Sequence, residues 1–472
     1  MRFERLEEQD IYRLLPYFRA QNTRLADWSA GYLFMWRKYQ KPFFAEAEGC
    51  LVLREEFVGR QYFYYPLSRT GDAAAEARAV EAVEKYCRDE DVRLHFTNVP
   101  AERLPALVLR YGADVHVADI RRWRDYLYAA EDFKSYAGSR FSGQRNHVNK
   151  FKKSCPDAEF CVYREEDRPA VEAFLHEVEG GQRSKEELLA DEEMGAVFSV
   201  LPHMGALGFC AGFVRAGGRI LSFAAGERCG DTLMVHIEKA VRDVPGVYPA
   251  TAQMFAQAFA GEGVNFINRE DDAGDAGLRK SKLQYLPVRL VDKYNVTPRR
   301  AIDALSRFPE IEAPRLRLRA VPDEDAPAYA RLARDGELNR YWGYDWRQDA
   351  PEGVEDGWFL RSAREDFKRK SELSLGVYAG ETLVGEAVLH RFGYAQECEA
   401  GVRILPEHQN KGYAREALSA LMNYAFLKLG IERAEAKCFR PNAASAHALR
   451  GAGMRPCGED DTYFYFYKTP AM

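Results

Sequence analysis

The chain has 472 residues, of which 46% are hydrophobic and 29% charged; that length suits roughly two to four domains, and the balance excludes a largely disordered protein. A formal net charge of −5 gives no global attraction to nucleic acid or anionic lipid, so a polyanionic partner needs a local patch. The nine cysteines, scattered from Cys50 to Cys457 without a C-x-x-C pair, argue against a disulfide framework and against a zinc site, and no metal is expected.

The opening MRFERLEEQDIYRLL is charged and amphipathic and lacks the apolar core of a secretory signal. No apolar run approaches the roughly 20 residues that a spanning helix needs, so a cytoplasmic protein is expected. Residues 124–128 alternate as a strand and give way near 129–134 to a basic stretch, GSRFSGQRNHVNKFKK, which divides the N-terminal part into expected units 1–130 and 131–297. His236 and Glu238, two apart in a strand-like run, share a face. Further on, NREDDAGDAGLRKSKLQYLP, residues 268–287, sets Asp271 and Asp272 in a Gly-containing turn ahead of Arg279, Lys280 and Lys282. Paired carboxylates can bind an amino group or accept a proton. Three cations close together can gather phosphate, as can the run Arg140, Arg145, Lys150, Lys152 and Lys153. The same residues also suit a solvated turn followed by a basic strand. Three prolines between 298 and 314 mark 298–313 as a linker.

Beyond it the expected order over 314–472 is βααβββαβαβ. Residues 315–321 alternate as a strand, and Asp323 or Asp325 can cap the next helix. Residues 374–378, 381–391 and 397–405 read as three successive strands. After Gln409 the period changes: Tyr413, Ala417, Leu418, Leu421, Ala425, Phe426 and Leu429 form the stripe of a helix packed on a sheet, closed by Gly430. A strand at 431–439, a short helix opened by Asn442 and a strand at 462–468 complete the pattern.

The strand-loop-helix CEAGVRILPEHQNKGYAREAL carries anion-binding chemistry. A loop entering a helix offers a pyrophosphate convergent N–H donors and the positive end of the helix dipole. Gly412 lets the backbone approach closely, and Ala414 keeps the next position small. With Gln409, the block resembles the signature Q/R-x-x-G-x-G/A of the GNAT acetyltransferase superfamily. Asn442, Ser445, Gly453 and Met454 are similar to that family's N-x-x-S…G-F ending, with Met in the Phe place. The pattern is most like that of the bacterial ribosomal-protein alanine and serine N-acetyltransferases. The resemblance implies acetyl-CoA as cosubstrate, with its pantetheine arm along Val402, Arg403 and Ile404. Its pyrophosphate would then face the loop residues Asn410, Lys411, Gly412, Tyr413, Ala414 and Arg415, Gln409 would count among the cofactor-binding residues as part of the signature, and Asn442 would touch the pantetheine region. An amine nucleophile must lose a proton, and Glu399, on the same strand, is the expected base. Many relatives have a Tyr seven residues after the Asn and a Glu five residues before it. Here Leu449 and Lys437 stand there, so Ser445, His447 or solvent would protonate the thiolate.

Residues 268–287 resemble the segment near the end of the phosphatidylglycerol lysyltransferase catalytic domain, and DYLYAAEDF, GQRNHVNKFKK, HIEKA and YPATAQMF extend the likeness over 1–297. It implies a tandem of two GNAT-like halves that moves an aminoacyl group from charged tRNA to an amine or hydroxyl. Phosphatidylglycerol is not expected as acceptor, since the chain lacks the membrane-spanning portion of those lipid synthases. The expected fold is therefore α/β (α+β), with three GNAT-like lobes. The expected function is acetyl transfer from acetyl-CoA to a primary amine of a small molecule or peptide. Two alternatives stand beside it: aminoacyl-tRNA-dependent transfer by the tandem, with the C-terminal domain accessory, and a non-catalytic protein that binds CoA and polyanions.

Overall fold

Residues 1–57, 59–90, 92–112, 115–179 and 187–470 are described by a computed structural model. The chain divides into two compact units, one formed by Met1–Val83, Leu94–Arg110 and His116–Thr297, the other by Glu84–Arg93, Tyr111–Val115 and Pro298–Met472.

The first unit holds two sheets. One contains β1 (Glu4–Arg5), β2 (Phe43–Ala47), β3 (Cys50–Phe57), β4 (Arg60–Tyr64), β5 (Leu67–Ser68), β6 (Phe96–Pro100) and β7 (His116–Asp119). The other contains β8 (Asp125–Ala129), β9 (Glu159–Val162), β10 (Phe209–Ala216), β11 (Arg219–Cys229), β12 (Thr232–Ala240), β13 (Phe266–Asn268) and β14 (Arg289–Val291). A last strand, β15 (Lys293–Thr297), returns to the first sheet, giving β1-β2-β3-β4-β6-β15-β7 with β5 beside β3; the second runs β14-β8-β13-β12-β11-β10-β9. The second unit holds β16 (Ile311–Glu312), β17 (Arg317–Arg319), β18 (Glu372–Ala379), β19 (Thr382–His390), β20 (Glu397–Ile404), β21 (Arg433–Phe439), β22 (Arg455–Glu459) and β23 (Tyr463–Lys468), in the order β16-β17-β18-β19-β20-β21-β23-β22.

Each sheet carries a parallel pair within otherwise antiparallel surroundings: β4 with β6, β12 with β13, and β20 with β21. In each, the second strand of that pair has an antiparallel neighbour on its other side: β15, β8 and β23 respectively. In the third sheet this neighbour comes from the same lobe. In the tandem it is exchanged, because β8 lies at the junction between the halves and β15 at the far end of the second half. Residues 1–130 and 131–297, read as separate units, therefore form one unit interlocked by strands.

Three other expectations differ from the structure. Residues 298–313, taken as a linker, fold with the second unit, where Ala301, Ile302 and Ile311 are buried in the core and β16 pairs with β17. The basic segment after Asp271 and Asp272 is a helix, Ala276–Leu283, with the Asp275 side chain accepting from the Leu278 amide at its start. Asp325 precedes the helix Ala326–Arg334 without capping it by its side chain, which instead accepts from the Tyr378 hydroxyl at 2.9 Å.

Alternation gives the third sheet two faces. Leu375, Ala387, Leu389 and Ala400 join Ala417, Leu418, Leu421 and Met422 of the helix Tyr413–Leu429 in an apolar core. On the opposite face Tyr329, Leu332, Phe359 and Leu360 form a second cluster with Tyr378 and Leu383.

Candidate functional site

β20 and β21 pair only at Glu397↔Arg433, Cys398↔Ala434 and Glu399↔Glu435, after which β20 runs on to Ile404 and β21 to Phe439 without further pairing. The backbone edge through Val402, Arg403 and Ile404 is thus open on the β21 side, as an extended arm that bonds like a strand requires. Beyond it the chain makes a short turn at Pro406–His408, passes left-handed Asn410 (φ 59°) and Gly412 (φ 79°), and enters the helix Tyr413–Leu429. No side chain caps this helix, which leaves the amides of Tyr413, Ala414 and Arg415 for an anion. Lys411 and Arg415 are exposed around them. Gln409 does not face that position, since its side chain donates to the Ile404 carbonyl at 2.9 Å and ties the loop to the strand.

Two residues that sequence reasoning missed, Arg315 and Glu416, complete the loop. Arg315 donates to the Lys411 carbonyl at 2.9 Å and to Glu416 Oε2 at 2.8 Å. Its guanidinium reaches 3.3 Å from where a Cβ on Gly412 would lie. Asn442 caps the helix Ala443–Gly451, its Oδ1 accepting from the Ser445 amide at 3.1 Å, so its Nδ2 is left to donate. The Ser445 side chain meets the Cys438 thiol. Leu449 is buried in the core and His447 is exposed.

The face of the sheet away from the helix Tyr413–Leu429 is polar at its centre. Register aligns Glu372, His390, Glu399 and Glu435 in one row; Ser374, Val388 and Gly401 form the next, and Gly376, Glu386 and Arg403 the one after. Glu386, 2% exposed, accepts from Arg403 Nε at 2.7 Å and from the Tyr329 hydroxyl. Arg403 also lies over the Trp342 ring, 4.5 Å from its centroid. Its side chain is therefore committed to the protein, and its carbonyl points toward β19 beside Gly385. A Cβ on Gly401 would come within 3.0 Å of Val388 and 3.4 Å of Trp342, so these two side chains close over the strand between Glu399 and Arg403 and glycine makes room for them. Glu399 has Arg391 at 3.7 Å, Lys437 at 3.8 Å and His390 Nε2 at 3.9 Å. Burial pushes the His390 pKa down against the pull of Glu399, and pushes the Glu372 carboxyl up to about 7.

The second sheet repeats the divergence. β12 and β13 pair from Thr232↔Phe266 to Met234↔Asn268, and β12 continues to Ala240. There a cavity of about 1320 Å³ opens, lined among others by Asp27, Asp125, His236, Arg269, Asp271 and Lys282. Lys293 pairs with Asp27 and lies 3.2 Å from Asp125 and 3.8 Å from Asp271. Burial raises Asp27 to about 6; Asp125 and Asp27 hold Lys293 well above its ordinary value although burial opposes its charge. His236, at a bulge in the pairing of β11 with β12, bonds Glu270 at 2.8 Å and Glu227 at 3.1 Å. Burial opposes its charge, yet these two carboxylates raise it to about 9. Glu238 does not join it and pairs with Arg269 instead.

Arg279, Lys280 and Lys282 do not form one anion site: Lys280 lies about 100° around the helix from Arg279, and Arg279 and Lys282, one turn apart, each bind partners of their own. Arg279 grips Asp272 with two bonds of 2.9 Å, and Arg121 and Tyr126 bond the same buried carboxylate at 2.8 and 2.7 Å. Lys282 is buried at the cavity and donates to the Arg269 and Asp271 carbonyls, while Lys280 is exposed. Asp271 lines the cavity and Asp272 does not.

The helix Val247–Phe259 follows β12 as Tyr413–Leu429 follows β20, and it too starts after a left-handed glycine, Gly246. A Cβ there would lie 2.1 Å from the His147 carbonyl. The backbone of the helix Ser142–Ser154 thus fills the place that stays open at Gly412. Lys150, Lys152 and Lys153 of that helix are exposed, whereas Arg140 and Arg145 bond Asp132 and the Tyr136 and Gly138 carbonyls. Among the described residues no group of His, Cys, Asp and Glu could hold a metal ion, and no helix is long and apolar enough to cross a membrane.

Residues 19–297 match the family described as phosphatidylglycerol lysyltransferase, C-terminal, and residues 315–455 match the acetyltransferase (GNAT) domain. Among curated proteins, the uncharacterized N-acetyltransferase YoaA of Bacillus subtilis (strain 168) is 29% identical over 166 residues, 34% of this chain and 92% of its own length. A conserved protein of unknown function from Bacteroides thetaiotaomicron VPI-5482 shares 25% identity over 63% of this chain and 99% of its own, with a TM-score of 0.57. L-PGS from Bacillus licheniformis shares 14% over 62% of this chain and 92% of its own, with a TM-score of 0.45.

Proposed function

From the premise that the chain belongs, over residues 19–297, to the phosphatidylglycerol lysyltransferase C-terminal family and is an acyltransferase, we propose that its C-terminal domain transfers an acetyl group from acetyl-CoA to a primary amine. The observation that carries this reading is the divergence of β20 from β21 leading straight into the uncapped, glycine-initiated helix at Gly412. The open edge of β20 holds the pantetheine arm, and the amides of Tyr413, Ala414 and Arg415, with Arg315, Lys411 and the dipole behind them, hold the pyrophosphate. The thioester then lies near Gly401, beside Glu399. The amine enters over the polar face and attacks the carbonyl carbon, and the thiolate is protonated by Ser445 or by water.

The test uses the full chain. Acetyl-CoA at about 100 times its Kd stabilises the domain that binds it by about 2.7 kcal/mol, readable as a shift in melting temperature, and CoA release is followed with spermidine, lysine and a peptide bearing a free N-terminal serine. No thermal shift at millimolar acetyl-CoA would refute the reading.

A second transfer, of an aminoacyl group from aminoacyl-tRNA by the tandem, is favoured by a separate observation. The tandem's own divergence opens on a large charged cavity, while the helix start that would hold a pyrophosphate is filled by the His147 carbonyl. Filter binding of aminoacyl-tRNA, with a steep fall in affinity as salt rises, tests this site independently of acetyl-CoA.

A further inference from the structure

Resting on the acetyl-transfer reading, we propose that His390 is the catalytic base of the C-terminal domain and that Glu399, the carboxylate expected in that role, positions it. Three features carry this. Register sets His390 directly opposite Glu399 on the polar face, at the last paired residue before β20 and β21 diverge. Its Nε2 faces Glu399 Oε1 at 3.9 Å, an ion-pair distance for the protonated imidazole. Glu399 lines a cavity of about 470 Å³ together with Arg391 and Lys437, which brings an entering amine to this pair.

The groups that face His390 come from every side of the row. Glu372 stands on β18, Glu399 on β20, Lys437 and Glu435 on β21, and Arg391 follows His390 itself. From the segment Glu84–Arg93, which folds with this unit, Lys85 and Arg88 line the same cavity as Glu399. Burial keeps the imidazole neutral at neutral pH, which is the form that accepts a proton. Glu399 then stabilises the imidazolium, as a carboxylate does for any histidine base it orients.

An ammonium substrate gives one proton to His390 Nδ1, the ring nitrogen that does not face Glu399, and the free amine attacks the thioester carbon. The N–C bond forms, the C–S bond breaks, and the second N–H proton passes to the thiolate, directly or through water. The products are the amide, CoA thiol and a protonated His390, which returns its proton to solvent.

The experiment is the pH profile of kcat/KM for the full chain with acetyl-CoA and the best amine of the panel, for wild type, His390→Gln, His390→Asn and Glu399→Gln, with acetyl-CoA Kd measured alongside. In the wild type kcat/KM should rise with pH through a limb below the ordinary histidine value of about 6.5. Both His390 variants should lose that limb and fall at least about 10²-fold, the lower end of what general base catalysis contributes, with Kd unchanged. Glu399→Gln should keep the limb but move it to lower pH, since the charge favouring the imidazolium is gone. A limb that persists in the His390 variants and vanishes in Glu399→Gln would overturn the proposal and return the base to Glu399. Loss of acetyl-CoA binding in the wild type would instead defeat the acetyl-transfer reading on which it rests.

Discussion

Replacing Gly412 by alanine should weaken acetyl-CoA binding through the backbone alone. At φ 79° a residue with a Cβ costs about 1–2 kcal/mol, and the nearest foreign atom, an Arg315 nitrogen 3.3 Å from the new Cβ, is on a flexible side chain that can shift. The loop is exposed, so in the free protein it can relax out of the left-handed conformation. Binding must restore it, and the strain then appears in the affinity as roughly a 5- to 30-fold rise in Kd. Gly430 provides the control: it closes the other end of the same helix at φ 70° with nothing within 4 Å. Gly430→Ala should lower stability by a similar amount and leave Kd alone. Gly412→Glu adds bulk and a negative charge where phosphate belongs and should abolish binding. Isothermal titration calorimetry of the three full-length variants decides the matter, and wild-type Kd in both Gly412 variants would refute the placement of the anion site.

Lys293→Met leaves Asp27 and Asp125 buried without their cation and should destabilise the N-terminal unit by about 3–5 kcal/mol in urea denaturation; a loss under about 1 kcal/mol would show that the carboxylates are protonated or solvated. His236 has its pKa raised to about 9 by Glu227 and Glu270, above the ordinary 6.5 or so. The stability it confers is therefore complete below about pH 6.5 and lost as pH rises through about 9, on the order of 3 kcal/mol. His236→Gln should remove that part of the urea-midpoint drift between pH 6 and 9.5. Alanine at Lys150, Lys152 and Lys153 should weaken aminoacyl-tRNA binding and flatten its salt dependence, whereas Arg279→Ala should chiefly lower stability, because it strips the buried Asp272 of a partner.

The longer elements of the C-terminal domain are legible because they are periodic, whereas β16, two residues, and β22, which carries no apolar alternation, stand outside the expected order. The alternation of 374–391 and the stripe from Tyr413 to Leu429 correspond to β18, β19 and the helix behind them. Other features have no local signal. The residues of the Ala276–Leu283 helix, eight in number, include a glycine and three cations, too short a run for its period to show. Arg315 stands 101 residues from its partner Glu416, and the facing of His390 and Glu399 depends on register, which turn geometry and packing set rather than either segment alone. The exchange of β8 and β15 escapes notice for the same reason, since KYNVT reads as a strand but does not name its sheet.

That exchange has a consequence for the nascent chain. β6 and β7 emerge long before β15, the strand that belongs between them. At about 5–20 residues per second the gap lasts roughly 10–35 s, during which two strand edges stand unpaired. The first candidate to fill the gap is β8, which follows β7 at once and would give a closed but wrong first half. What distinguishes the correct arrangement is a charge: Lys293 comes with β15, Asp125 with β8 and Asp27 with the first half. Only when both strands have crossed over do all three meet in the native ion pairs.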